Sequence, residues 1–211
     1  MIFEQKKHQV LGLIMAAGFS NRFGPDDKRK ATWQNTTLLG ATIENTRQWL
    51  PNIAVVIRPD DIAYDLGIPR GTPIIRASNA SNGMGSSISD AMAVLLEGGA
   101  ANGALLKSSS LPIHTIALLL GDMPGITEST FKRLVERSGS NRIVRPVHEG
   151  QNGHPVLFGK AYWPELAALT GDSGGKQIVK RQQAQVDNLA VDDPGVLLDV
   201  DQPQDLIDQP V

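Results

Sequence analysis

Short apolar runs alternate with segments of helical periodicity along most of this chain. Helices are predicted where apolar residues recur at intervals of three and four, over Leu38–Leu50, Gly85–Glu97, Glu128–Ser138, Ala161–Thr170, Ser173–Gln183 and Gln204–Asp208. The apolar runs predict strands at Val10–Met15, Ala54–Ile57, Pro73–Arg76, Thr115–Leu120, Arg142–Val147, Pro155–Phe158, Val186–Ala190 and Val196–Asp199. Such alternation predicts an α/β fold, a mostly parallel central sheet with helices on both faces. Because ligands of such sheets bind beyond the carboxyl ends of the strands, residues just after strands are the first candidates for a site.

The composition narrows the class of protein. The chain has 211 residues, 41% of them hydrophobic, which fits one α/β domain spanning residues 1–211. A formal charge of −2 argues against a nucleic-acid partner, since that needs a basic surface. The absence of cysteine excludes disulfides and thiolate metal sites, and it is compatible with the cytoplasmic location that we expect.

The N-terminus has some features of a short secretory signal. Lys6 and Lys7 precede the apolar segment Val10–Ala17, which ends in small residues. The apolar segment is only eight residues long and leads directly into a cationic loop, so we interpret it as the first strand. No segment reaches the roughly 20 apolar residues of a membrane span, and no membrane partner is expected.

The loop after the first strand has the composition of a phosphate-binding loop. Ala16, Ala17 and Gly18 have almost no side chain, so backbone N–H groups can donate to an anion. Arg22 adds a planar set of donors and Lys28 a mobile charge, both suited to phosphate oxygens. A P-loop is excluded by the spacing of the glycines, and the dinucleotide motif G-x-G-x-x-G is absent. A plain strand-to-helix turn with surface cations is the alternative.

A carboxylate follows the apolar strand Thr115–Leu120. Asp122 should lie at the rim of the sheet, where Gly121 leaves room and Pro124 turns the chain away. Asp122 is therefore the leading candidate for a metal ligand. An N-cap role for Asp122 is weaker, because Thr127 can cap the helix that follows.

A second pair of carboxylates lies near the C-terminus. Asp199 and Asp201 alternate with Val200, so an extended chain would point both to one face, where they could bind a cation. Mg²⁺ takes one or two carboxylates and completes its shell with water and substrate phosphates. Which of the two binds stays open, and Asp201 could equally be a helix N-cap.

Two further segments follow strands. In the segment from Asn79 to Ile88, Gly83 allows close backbone approach, while Ser86 and Ser87 stand at a helix N-terminus; Ser86 could also be a simple cap. In the second segment His154 precedes Pro155, where it could bind an acidic substrate or be structural.

Several of these motifs together resemble a known family. The pattern Ala-Ala-Gly-x-Ser-x-Arg-x-Gly-x(3)-Lys, from Ala16 to Lys28, resembles the signature of nucleotidyltransferases. Gly-Asp-Met-Pro around Asp122 and Gly-His-Pro-Val around His154 resemble the molybdenum cofactor (molybdopterin) cytidylyltransferases, which are related to molybdopterin guanylyltransferases. The chain departs from the family pattern at Lys176, where an arginine is usual.

The resemblance implies a Rossmann-like nucleotidyltransferase fold and a reaction in which an acceptor phosphate attacks the α-phosphorus of CTP and expels pyrophosphate. It implies that Arg22 and the loop amides hold the β- and γ-phosphates, that Lys28 stabilises the α-phosphate, and that Asp122 binds Mg²⁺ or Mn²⁺ with Asp199 or Asp201. The nucleotide-binding residues implied are Ala16, Ala17, Gly18, Ser20, Asn79, Gly83, Ser86 and Ser87. The acceptor, most readily molybdopterin, would meet His154, Pro155 and Lys176.

Two alternatives remain from the sequence. A guanylyl- or uridylyltransferase acting on molybdopterin or a sugar phosphate would use the same chemistry, and Ala17, in place of a glycine, favours CTP only modestly. A nucleotide-binding protein of the same fold without catalytic activity is the second alternative. The acceptor and the oligomeric state stay open, because a fold does not determine a substrate.

Overall fold

The computed structural model describes residues 2–19, 27–97 and 111–198. Its central sheet has the strand order β10-β7-β9-β6-β1-β4-β5, with β8 paired to β7, and a separate two-stranded sheet joins β2 to β3. The strands are β1 Val10–Met15, β2 Thr32–Trp33, β3 Thr36–Thr37, β4 Asn52–Ile57, β5 Ile74–Arg76, β6 Thr115–Leu120, β7 Ile143–His148, β8 Gln151–Asn152, β9 Val156–Gly159 and β10 Val186–Ala190. Strand β9 is antiparallel to both of its neighbours, and β8 is antiparallel to β7. The other strands of the central sheet are parallel, which confirms the predicted α/β fold.

The helices pack on both faces of this sheet. They are α1 Ile2–Lys6, α2 Leu38–Trp49, α3 Met84–Glu97, α4 Glu128–Arg137, α5 Trp163–Ala167 and α6 Lys176–Arg181. Helices α1, α2 and α4 bury apolar side chains against one face, and α3, α5 and α6 against the other. Strands β1 and β6 lie at the centre and face both layers, so their sequences are continuous apolar runs rather than alternating ones.

Helix α2 begins and ends where its sequence indicates. Thr37 caps it, its hydroxyl accepting a hydrogen bond from the amide of Gly40 at 2.9 Å. Leu39, Ile43 and Thr46 are buried along one face, and Pro51 follows the end of the helix. The predicted amphipathic face of this helix is confirmed.

Some predicted elements differ from the structure. The strand predicted at Val196–Asp199 is wrong over its described part, because Pro194–Val196 forms a 3-10 turn that Asp193 caps by accepting from the amide of Gly195 at 3.0 Å. The helix predicted from Ala161 begins only at Trp163, since Pro164 lacks the N–H that a longer helix would need. Likewise α6 begins at Lys176 because Gly174, at φ +52°, is not helical.

Two predicted segments cannot be compared. Asp199 and the predicted helix Gln204–Asp208 lie outside the described residues. Among residues 2–19, 27–97 and 111–198, no helix has the length and apolar character that crossing a bilayer requires.

Candidate functional site

The predicted phosphate-binding loop leaves the sheet directly after β1. The amide of Ala16 still donates to the carbonyl of Val56 on β4 at 2.8 Å, and the chain separates from the sheet from there on. Ala17 is buried and Gly18 is exposed, and a Cβ added to Gly18 would meet no atom within 4 Å. The backbone at Gly18 is therefore open to a ligand. Two other predicted members of this loop, Ser20 and Arg22, lie outside the described residues.

Lys28 and Asp122 meet at the carboxyl ends of the two central strands. The Nζ atom of Lys28 lies 2.6 Å from Oδ2 of Asp122, and both side chains are largely buried. Strands β1 and β6 are parallel with Met15 beside Leu120, and the amide of Gly121 donates to the carbonyl of Met15 at 3.0 Å. This pairing places the Asp122 turn beside the phosphate-binding loop. The two residues predicted for phosphate chemistry and metal binding are thus in direct contact.

The second oxygen of the Asp122 carboxylate suits a cation. Within the described part of the chain, Oδ1 of Asp122 is buried and accepts no hydrogen bond. A buried acceptor without a partner is costly, and a metal ion would satisfy it. The described residues contain no cluster of three His, Asp or Glu side chains that could hold a metal, and the predicted partners Asp199 and Asp201 lie outside them. Asp122 therefore fits a site that is completed by other ligands.

A residue on α2 holds the turn that carries Asp122. The side-chain amide of Asn45 donates to the carbonyl of Pro124 at 2.9 Å and to that of Ile126 at 2.8 Å. Sequence reasoning missed Asn45, because a polar residue on an amphipathic helix is usually exposed and these partners are about 80 positions away.

The segment between β5 and α3 makes its main contacts with the protein itself. Asn79 donates to the carboxylate of Asp90 from its backbone amide at 2.7 Å and from its side chain at 2.8 Å. Ser86 accepts a hydrogen bond from the amide of Gly171 at 3.2 Å, and Ser87 donates to the carbonyl of Gly83. Ser86 lies in the first turn of α3 and not at its N-cap, so the alternative role of a simple cap is wrong.

Glycines in this segment are required by the chain that packs on it. A Cβ on Gly83 would overlap the carboxylate of Asp172, and one on Gly85 would lie 2.7 Å from the carbonyl of Thr170. The amide of Gly85 also donates to the carbonyl of Gly171 at 2.7 Å. Close packing of the start of α3 against residues 170–172 thus accounts for these glycines.

A cavity of about 540 Å³ lies on the α3 side of the sheet, close to the carboxyl ends of β1 and β6. Its lining includes His154 and Lys176, two of the three residues predicted for the acceptor, and the third, Pro155, is buried beside His154. The backbone of His154 is fixed by a hydrogen bond from its amide to the carbonyl of Val196 at 2.9 Å. The rest of the lining is mainly apolar and includes Met84, Ile88, Leu118, Phe158 and Val179.

Two further cations line the same cavity. Arg145 on β7 is held by Asn188 of β10, which accepts from Nη2 at 2.7 Å and from Nε at 3.1 Å, and partial burial lowers the pKa of Arg145. Lys180 stands one helical turn after Lys176 on α6. Residues four apart lie on the same face of a helix, so the spacing of these lysines could have identified Lys180 from the sequence. Arg145 had no such signal, because its strand neighbours are distant in sequence.

A largely buried ionic cluster of Arg29, Asp27 and Asp61 contacts the start of the phosphate-binding loop. The guanidinium of Arg29 bonds to the carboxylates of Asp27 and Asp61 and to the carbonyl of Ala16. Burial opposes ionisation of both carboxyl groups, but the hydrogen bonds and charge of Arg29 prevail and lower the pKa of Asp27 and of Asp61. Sequence reasoning missed this role of Arg29, because a run of three cations usually indicates a solvated surface.

Comparisons with known proteins agree with this architecture. Rv0371c from Mycobacterium tuberculosis H37Rv has a similar structure at 28% identity, with a TM-score of 0.76 over 95% of this chain and 98% of that chain. A complex of Rv0371c with manganese matches at 25% identity and a TM-score of 0.69, over 93% of this chain and 95% of that one. At 14% identity, a 4-diphosphocytidyl-2C-methyl-D-erythritol synthase from Anaerococcus prevotii shares the fold, with a TM-score of 0.65 over 98% and 95% of the two chains. No curated protein has a sequence that matches the chain significantly.

The family comparison covers most of the chain. Residues 12–186 match the family described as the MobA-like NTP transferase domain. This span contains the phosphate-binding loop, the Lys28–Asp122 pair and the cavity around His154. The sheet, the loop and the match over this span lead to one conclusion: the chain belongs to the MobA-like nucleotidyltransferase family.

Proposed function

We propose that this protein transfers CMP from CTP to a phosphate-bearing acceptor, molybdopterin, with release of pyrophosphate. An oxygen of the acceptor phosphate attacks the α-phosphorus, and the bond from that phosphorus to the pyrophosphate oxygen breaks. The observation that carries the proposal is the contact of 2.6 Å between Lys28 and Asp122 beside the phosphate-binding loop. Family membership supports the reaction type.

The loop and Lys28 would act on the triphosphate by position and charge. The amides of Ala17 and Gly18, together with Arg22, would hold the β- and γ-phosphates. Lys28 would stabilise the charge that develops on the α-phosphate, and Ser20 would contribute to nucleotide binding. Phosphoryl and nucleotidyl transfers leave the protein little covalent work, so fixed charges near the reacting phosphate dominate catalysis.

A divalent cation, Mg²⁺ or Mn²⁺, would be held by Asp122 with Asp199 or Asp201. Bound there, the ion would neutralise phosphate charge and orient the oxygens of the triphosphate. The buried oxygen Oδ1 of Asp122 supports this assignment, and so does the manganese complex of the similar protein Rv0371c. Lys28 pairs with Oδ2 of the same carboxylate, which leaves Oδ1 as the atom that would bind the ion.

The cavity around His154 would receive the acceptor. Three cations, Lys176, Lys180 and Arg145, line this cavity against one carboxylate, that of Asp172. This excess of positive charge favours an anionic acceptor such as a pterin phosphate, and much of the remaining lining is apolar. The segment with Asn79, Gly83, Ser86 and Ser87 would hold the base and ribose, and its contacts with Asp90 and Gly171 would then be the means of fixing its shape. The preference for CTP over GTP rests on Ala17, which stands where guanylyltransferases have a glycine.

The same proposal covers organisation and location. We propose one nucleotidyltransferase domain spanning residues 1–211, acting in the cytoplasm. A single central sheet that contains eight of the described strands supports the one-domain organisation. A sequence without cysteine is compatible with a cytoplasmic location.

A thermal-shift screen of CTP, GTP, UTP and ATP, each with and without Mg²⁺ or Mn²⁺, tests the nucleotide assignment. A ligand that binds only the native state raises stability with the logarithm of its concentration relative to its Kd. We expect CTP with a divalent ion to raise Tm most. A larger rise in Tm with GTP would reject the cytidylyl assignment in favour of the guanylyl one. Equal rises in Tm for all four nucleotides would mean that the protein does not distinguish the bases.

A further inference from the structure

We propose that Arg29 is a positioning residue for catalysis, which fixes the phosphate-binding loop and Lys28 through one buried guanidinium. This inference rests on the proposed function, because it concerns how the proposed phosphate contacts are held in place. Arg29 is only 6% exposed, so its role differs from that of the exposed Lys30 beside it.

All the donors of the Arg29 guanidinium are engaged. Nη1 donates to the carbonyl of Ala16 at 2.7 Å and to Oδ2 of Asp61 at 2.5 Å. Nη2 donates to Oδ1 of Asp61 at 2.8 Å and to Oδ2 of Asp27 at 2.6 Å, and Nε donates to Oδ1 of Asp27 at 2.9 Å. An arginine has five N–H donors in a rigid plane, and these five contacts use every one of them. Such an arrangement fixes the three partners relative to one another.

The first partner belongs to the phosphate-binding loop. Arg29 donates a hydrogen bond to the carbonyl of Ala16, and Arg58 donates to the next two carbonyls, those of Ala17 and Gly18. The guanidinium of Arg58 also stacks 4.2 Å from the ring centre of Phe19. Three successive carbonyls of the loop therefore accept hydrogen bonds from arginine side chains. Within the described residues, the amides of Ala17 and Gly18 donate to no protein acceptor, so the loop offers donors rather than acceptors to an anion.

The second partner determines the backbone of Lys28. Asp27 directly precedes Lys28, and its carboxylate caps the 3-10 turn Lys28–Lys30 by accepting from the amide of Arg29 at 3.1 Å. Lys28 therefore lies between two residues that are bonded to each other. Because the same guanidinium also binds Ala16, the distance between the loop and the Lys28 ammonium depends on Arg29.

The third partner ties this cluster to the sheet. Asp61 also accepts from the amide of Arg58 at 2.8 Å, directly after β4, so the two arginines share one carboxylate. A lysine at position 29 would keep the charge but could not span three partners in a plane. The geometry thus requires the guanidinium and not only a cation.

The test compares Arg29→Lys with the control Lys30→Ala, both as the full chain. Pyrophosphate release with CTP, molybdopterin and a divalent ion is measured per folded molecule, with the folded fraction taken from circular dichroism and urea unfolding. We expect Arg29→Lys to lower kcat about 10- to 100-fold, since misplacing a catalytic group by an ångström costs rates of this order, while KM for CTP changes less. Lys30→Ala should leave both near wild type.

A double-mutant cycle with Lys28→Ala separates positioning from folding. If Arg29 acts through Lys28, removing the ammonium should cost much less in the Arg29→Lys background than in the wild type. A merely structural role would lower the folded fraction and leave the cost of Lys28→Ala unchanged. If Arg29→Lys does not fold, Asp61→Asn removes the charge and one of the two acceptor oxygens at this position without changing Arg29, and it should give a smaller kcat loss of the same kind.

The outcomes distinguish the two claims. A wild-type protein that releases pyrophosphate from CTP and molybdopterin, together with an Arg29→Lys variant of unchanged kcat per folded molecule, overturns the positioning role alone. Additive losses in the cycle overturn it as well. A wild-type protein that releases no pyrophosphate from any triphosphate in the presence of molybdopterin and a divalent ion overturns the proposed function and this inference with it.

Discussion

Lys28 and Asp122 contact each other directly at the carboxyl ends of β1 and β6. A mostly buried ammonium faces a mostly buried carboxylate, and one oxygen of that carboxylate accepts no hydrogen bond within the described residues. In such surroundings charge interactions are stronger than in water, and each group can act on a phosphate or a cation that enters beside it. Asp122 and Lys28 were both predicted from the sequence, and their direct contact is what the structure adds.

Asp122→Asn should abolish turnover and leave the fold intact. The amide keeps the size of the side chain but loses the charge that a divalent ion needs, and it no longer pairs with the Lys28 ammonium. Pyrophosphate release and circular dichroism, measured together, check this, with the half-exposed Asp65→Asn as the control. Unchanged turnover would remove Asp122 from the mechanism, and loss of the fold would make its role structural.

Lys28→Ala should lower kcat more than it weakens nucleotide binding. If the ammonium acts mainly on transition-state charge, its loss costs about 10²- to 10³-fold in kcat, as for other preorganised donors. Steady-state kinetics measure the loss in kcat, and CTP titration measures the loss in nucleotide binding. Lys30 is the matched control, since its Nζ lies 3.9 Å from Asp65 and away from Asp122. A larger loss with Lys30→Ala would mean that the wrong lysine has been assigned.

At the scale of elements, the loop after β1 and the turn after β4 are held together by ionic contacts whose strength depends on pH. Burial raises the pKa of the Asp61 carboxyl, but hydrogen bonds from Arg29 outweigh it, and the net pKa lies below the ordinary value of 3.8. The native state therefore holds protons on Asp61 less tightly than the unfolded state. The stabilisation is complete above the ordinary pKa and is lost as the pH falls below it through the native pKa.

Asp61→Asn should consequently destabilise the protein most near neutral pH. The free energy of unfolding of the variant should approach that of the wild type as the pH falls below about 4, because the wild type loses its ionic contact there. Urea unfolding at a series of pH values measures the difference. A difference that stays constant from pH 7 to acid would show that the Asp61 charge contributes nothing to it.

Most elements could be predicted from sequence, for reasons that also explain the errors. The runs Val10–Met15, Thr115–Leu120 and Val186–Ala190 have the predicted bounds, and the first two are central strands buried on both faces. Val196–Asp199 was predicted as a strand from its apolar residues alone, although Pro194 and the cap Asp193 favour a turn. Local patterns thus identified elements with clear start and stop signals.

For the whole molecule, the limits of sequence reasoning lie in contacts between distant positions. Lys28 and Asp122 each follow a recognisable motif, whereas Arg29 depends on Asp61, 32 positions away, and Arg145 depends on Asn188, 43 positions away. No local spacing reports such pairs. The same holds for the cavity, in which His154 from the loop before β9 and Lys176 from α6 meet.

His154→Ala should impair transfer to the acceptor and leave CTP binding nearly unchanged. We assign His154 to the acceptor cavity with Lys176, away from the loop that would bind the phosphates of CTP. Transfer to molybdopterin and CTP-induced thermal shifts, measured on the same preparation, check this. A variant that loses CTP binding would put His154 on the nucleotide side of the site.

The proposed reaction joins CMP to a phosphate-bearing acceptor with the help of Asp122 and a divalent ion. Its most direct test is pyrophosphate release by the wild-type protein from CTP and molybdopterin, with Mg²⁺ or Mn²⁺ and with a chelator. We predict release that requires both the ion and the acceptor and that disappears in Asp122→Asn. Binding of triphosphates without pyrophosphate release, under any combination of ion, nucleotide and acceptor phosphate, would contradict the proposed reaction and indicate a nucleotide-binding protein without transferase activity.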